Sequence, residues 1–83
     1  MEIDEINEIN PDAIIVDGFN DAIIGLAERI NLGPVVAYDV DKMLDIMVER
    51  DGMTYEDAVE YFDYNILGAW MGENTPVYVF SNR

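Results

Sequence analysis

The sequence predicts an α+β domain, a small antiparallel β-sheet packed against two amphipathic α-helices, and three observations carry that prediction. Apolar residues recur with helical spacing in two consecutive segments, 40–50 and 54–70. Shorter β-branched runs, AIIV, DAIIGLAER, PVVAYD and VYVF, are bounded by turn-forming Asp, Gly and Pro. A hydrophobic share of 51% in 83 residues supports one core and one domain, near the lower size at which a core holds without disulfides or metals. Two helices with one greasy stripe each need an apolar face to cover, and a sheet alternating inward and outward supplies it.

The elements follow in order. MEIDEINEINPD carries five acids in twelve residues, with Ile3, Ile6 and Ile9 at every third position before Pro11. That spacing fits one face of a helical turn, but the charge and terminal position predict a mobile or loosely docked acidic arm over 1–11, with 12–83 as the folded domain. AIIV (13–16) reads as a short strand entering a turn at Asp17-Gly18. DAIIGLAER (21–29) and PVVAYD (34–39) read as a hairpin joined by INLG. Ala22, Ile23, Leu26, Ala27 and Ile30 also fit a helical stripe. Gly25 in its middle disfavours helix by about 1 kcal/mol relative to alanine, so strand is the reading.

From Asp39 the period changes. Asp39 is an N-cap, Val40, Met43, Leu44, Met47 and Val48 make one stripe, and Gly52 ends the helix. Thr54 and Asp57 resemble a capping box that starts a second helix. Tyr55, Ala58, Val59, Phe62, Ile66, Ala69 and Trp70 keep its spacing, which places Phe62, Ile66 and Trp70 in the core. Gly68 inside that helix marks either close approach of a backbone or a fraying end. GENTP breaks the helix before a terminal strand at 77–80. Ile46 and Leu67 fall off the core stripes, and surplus apolar residues on so short a chain predict a homodimer.

Charge and missing chemistry narrow the function. Eighteen acids face four bases, Arg29, Lys42, Arg50 and Arg83, for a net charge of −14. Such a domain is repelled by nucleic acid and anionic membranes and attracts basic proteins. Histidine and cysteine are absent and Ser81 is the lone serine, which removes the usual general base, the thiolate and the serine triad and predicts a non-enzyme without cofactor. Asp39, Asp41 and Asp45 match the start of a calcium loop, but Met43 and Leu44 stand where an oxygen ligand and a glycine belong. Asp17, Asn20 and Asp21 are turn formers, so no metal is expected. The lack of a basic N-terminus with an apolar run, and of any long apolar stretch, predicts a cytoplasmic protein.

The remaining signal lies on the helices. Asp41, Asp45 and Glu49 form one acidic strip, and Glu56, Glu60 and Asp63 a second, neither containing a base. Like charges at i, i+4 destabilise a helix by roughly 0.2–0.5 kcal/mol per pair, so the strips do not serve helix stability. Tyr61 and Tyr64 lie off the core stripe beside these acids, the composition of a protein-binding surface. A solvated face with tyrosines shielding its flanks is the alternative.

The segment ERDGMTYEDAVEYFDYNILGAWMGENTPVYVF (49–80), carried by Arg50–Met53, Tyr55, Glu56, Ala58–Phe62, Asn65, Gly68, Ala69, Gly72, Glu73, Thr75 and Pro76, resembles a group of small acidic, uncharacterised proteins of tailed bacteriophages. IIVDGFNDAIIG and VVAYD are similar to the same group. The resemblance implies a phage origin and brings no catalytic residue with it; added to the charge pattern, it predicts a protein of the host cytoplasm that inhibits or modulates a basic, nucleic-acid-handling host protein, such as a nuclease that defends the cell. A self-associating structural module and a small-molecule-sequestering protein are the alternative readings.

Overall fold

Strand pairing decides which residues face the core. A computed structural model of the chain describes residues 2–81. Ile23–Arg29 (β1) and Leu32–Asp39 (β2) pair antiparallel around Asn31, whose φ of 62° is a left-handed conformation that asparagine tolerates. The segment open between helix and strand is therefore a strand. Leu26 opposite Val36 and Ile23 opposite Tyr38 all turn towards the main core. Gly25 sits at a β-bulge, where β1 advances from Ile23 to Gly25 while β2 advances only from Tyr38 to Ala37.

Val77–Val79 (β3) completes the sheet on the other side of β2, in the order β1-β2-β3. The class is α+β, but the sheet is mixed and not antiparallel, because β3 runs parallel to β2 through Ala37–Val77, Tyr38–Tyr78 and Asp39–Val79. The chain between them, residues 40–76, is a crossover long enough to return to the same end of the sheet.

That crossover holds the two expected helices. Val40–Asp51 (α2) starts at Asp39, whose carboxylate accepts the Lys42 N–H at 3.3 Å, and ends at Gly52 with φ 70°. It buries Val40, Met43, Leu44 and Met47, and Ile46 also packs against the core. Tyr55–Tyr61 (α3) starts at Thr54, whose hydroxyl accepts the Asp57 N–H at 3.1 Å. It then widens into a π turn over Phe62–Leu67 and stops. The Gly68 N–H reaches the Asp63 carbonyl at 3.1 Å, the π spacing, and a Cβ on Gly68 would lie 3.1 Å from that same oxygen. A side chain here would be tight against the backbone of its own helix. Phe62 and Ile66 are buried as expected, but Trp70 is not: it lies beyond the helix end and is 77% exposed.

One further expectation, the strand at 13–16, changes. The acidic arm contains a helix, Ile3–Ile9 (α1), docked by a fully buried Ile6 and by Asn10, whose amide donates to the Pro34 carbonyl at 2.8 Å and to Asn74 Oδ1 at 3.1 Å. Residues 13–16 form no strand. Their N–H groups bond singly, Ile14 to the Asn74 carbonyl at 3.3 Å and Val16 to the Tyr38 hydroxyl at 2.8 Å, while Ile15 and Val16 pack on the core.

An aromatic cluster joins sheet to helix. Tyr38 and Tyr78 stack at 6.1 Å, and Phe62 meets Tyr78 and Phe80 edge-on at 5.4 and 5.9 Å. The Tyr78 hydroxyl is buried with no hydrogen-bond partner among the described residues. Tyr38→Phe should therefore cost about 1–2 kcal/mol by stranding the Val16 N–H, whereas Tyr78→Phe should leave stability unchanged or slightly raised. Burial holds both phenols above their ordinary value, opposed at Tyr38 by the Val16 N–H and reinforced at Tyr78 by Tyr38. An unfolded chain loses these protons near pH ~10 while the fold retains them, so stability is full below that pH and falls above it. Denaturant titrations of both variants from neutral to alkaline pH check the pair; Tyr78→Phe should flatten the alkaline decline.

Candidate functional site

The bases come first, because they decide which acids remain uncompensated. Arg29 donates to the Gly33 carbonyl from Nε at 2.9 Å and Nη2 at 2.6 Å, and its Nη1 reaches the Glu73 carbonyl. Arg50 grips Asp51 through two bonds of 2.9 Å, donates to the Gly18 carbonyl, and lies 5.1 Å from the Phe19 ring centre. Its guanidinium holds the Asp51 carboxyl below the ordinary carboxylate range. Both arginines thus clip loops to the body, and Arg50–Asp51 is the one ion pair among the described residues.

The acids expected to form two strips are divided by the helix geometry. Glu60, Tyr61 and Tyr64 line one shallow, open groove of about 380 Å³ with Met53, Asp57 and Asn65. Its tyrosines are 44% and 78% exposed, and its wall contains no base among the described residues. Asp63 turns the other way. It lines a smaller cleft of about 170 Å³ between α2 and α3, together with Asp41, Tyr55, Val59, Leu44 and Phe80. There the Ser81 hydroxyl donates to Asp41 at 2.8 Å. Asp45, Glu49 and Glu56 are exposed and line neither groove. The structure therefore gathers Glu60, Tyr61 and Tyr64 at one site and pairs Asp41 with Asp63 at a second.

Sequence spacing missed three residues of the larger groove. Asp57 stands in the first turn of α3, where the helix dipole accounts for an acid without further purpose. Met53 belongs to the interhelical loop and carries no periodic signal. Asn65 lies within the π turn, where the 100° wheel no longer holds. No group of three or more acids converges to hold a metal ion among the described residues, and no helix there is long and apolar enough to cross a membrane.

Comparison with other proteins adds no assignment: no family model, no curated protein and no solved structure matches the chain. What the geometry offers chemically is recognition. Carboxylates beside exposed tyrosine faces accept guanidinium or ammonium hydrogen bonds and stack the cation.

Unpaired acids also repel one another, and the compact fold holds them closer than the unfolded chain does. Added sodium chloride should therefore raise the melting temperature by screening. Thermal melts across a salt series check this; a melting temperature that falls with salt would mean that attractive pairs dominate the surface.

Proposed function

We propose that this chain is a small, non-enzymatic binding protein that docks on a basic, nucleic-acid-handling protein and inhibits or modulates it. The observation that carries the reading is the groove of Met53, Asp57, Glu60, Tyr61, Tyr64 and Asn65, an acid-and-tyrosine wall without a base among the described residues. Arginine fits such a wall better than lysine, since its planar guanidinium both forks onto carboxylates and stacks on phenol rings. The Asp41–Asp63 cleft adds a second acidic site between α2 and α3. Neighbouring carboxylates on a helix stand about 6 Å apart, comparable with phosphates along a strand. An acidic face of this kind competes with nucleic acid for a basic channel. On the resemblance to tailed-phage proteins, the partner is a host nuclease or polymerase met in the host cytoplasm.

The electrostatic origin of the contact makes it testable. Glu60→Lys combined with Tyr64→Ser alters two exposed groove residues and should abolish recovery of the basic partner from host lysate, with the melting temperature kept within a few degrees. Asp63→Lys, in the other cleft, should weaken recovery less. Capture by the unaltered protein should fall steeply between about 0.05 M and about 0.5 M salt. Recovery unaffected by the double variant would leave the groove a solvated face.

A further inference from the structure

We infer that a second copy of this chain covers the groove around Trp70, so that the protein forms a twofold dimer through a surface separate from the acidic groove. The single tryptophan is 77% exposed, and beside it Leu67 is 47% and Val77 36% exposed. Together with Ala69, Thr75 and Pro76 they line a groove of about 410 Å³. Scattered exposed apolar residues are ordinary, but a contiguous apolar groove with an exposed indole marks a contact surface.

Charge selects the occupant. Two copies at a net charge of −14 repel each other, and most strongly if α2 and α3 face one another. The Trp70 groove differs: its charged lining is Arg29 and Glu73, one of each sign. A basic protein is drawn to the acidic helices, whereas a like-charged copy is steered off them towards this balanced face. Trp70 lines the groove, so a twofold contact would bring each copy's indole against the other's groove. Little ordering is needed. Arg29 already ties the Gly33 and Glu73 carbonyls, and the Thr75 hydroxyl accepts the Met71 N–H at 2.8 Å and donates to the Gly72 carbonyl at 2.7 Å. Continuity with β3 enlarges the face: Val77 and Val79 are exposed on a strand with no neighbour on its outer side among the described residues, while the opposite edge strand β1 is blunted by its bulge.

The two surfaces should respond to salt with opposite sign. Sedimentation equilibrium should give a monomer–dimer constant that tightens about tenfold or more between about 0.02 M and about 0.5 M salt, as repulsion between copies is screened. The lone tryptophan reports its own burial, so its emission should shift to the blue with concentration and return to the red on dilution. Trp70→Ala, or Val77→Lys as a second variant, should be monomeric at both salts with circular dichroism unchanged, yet still recover the basic partner. Tyr64→Ser should leave the dimer intact. A wild type that stays monomeric with red emission at high concentration in high salt overturns the proposal. So does a dimer that both Trp70→Ala and Val77→Lys leave unaffected, or a monomer whose Trp70 face captures a different protein.

Discussion

The fold depends on Tyr38. It lies fully buried in the central strand, opposite Ile23 on one side and Tyr78 on the other, so all three strands meet at its position. Its hydroxyl takes the Val16 N–H, which fixes a segment with no ladder of its own. Its ring stacks on Tyr78, and Tyr78 in turn packs edge-on against Phe62 at the start of the π turn. One side chain thus links sheet, irregular N-terminal segment and the end of the second helix. In a domain of this length, where a few kcal/mol separate folded from unfolded, such a shared contact has wide consequences. The π turn it supports also determines that Tyr64 points into the acidic groove and that the helix ends before Trp70.

Electrostatics divides the remaining surface. Arg29 and Arg50 spend their donors on loop carbonyls and on Asp51, which sits next to Arg50 in the chain. Apart from Asp51, the acids of α2 and α3 have no ion pair among the described residues, and the Trp70 groove is left nearly neutral. On the proposed readings, this arrangement would sort a foreign cationic partner from a second copy before any close contact forms. Low salt favours the first, high salt the second.

Much of this was legible in the residues themselves. Asp39, Gly52 and Thr54 mark helix ends through backbone bonds that depend only on local chain, and the structure places all three boundaries there. Gly25 identified β1 as a strand because its helix penalty is local too. The misses share a different cause. Whether Ala13–Val16 becomes a strand depends on a distant partner, and the N–H groups of Ile14 and Val16 are taken instead by the Asn74 carbonyl and the Tyr38 hydroxyl. The direction of β3 follows from the path of the whole crossover. A seven-residue α1 is marginal alone, and Ile6 needs the folded core to hold it. Trp70 continued a perfect 3.6-residue spacing, but the i to i+5 bond at Gly68 ended the helix first. The acidic strips were legible as composition; that Asp63 lines a different cleft from Glu60 was not, because a π turn changes the angle per residue without changing the sequence pattern.

On the proposed function, acids and tyrosines form a localised receptor for cationic side chains, beyond a diffuse negative field. The most direct test is an amide chemical-shift titration with a short arginine-rich peptide at moderate salt. A localised receptor should give saturable changes centred on Met53, Asp57, Glu60, Tyr61, Tyr64 and Asn65 that survive salt better than those elsewhere. Small, non-saturating shifts spread equally over α1, Asp45, Glu49 and Glu56, in proportion to charge alone, would contradict it.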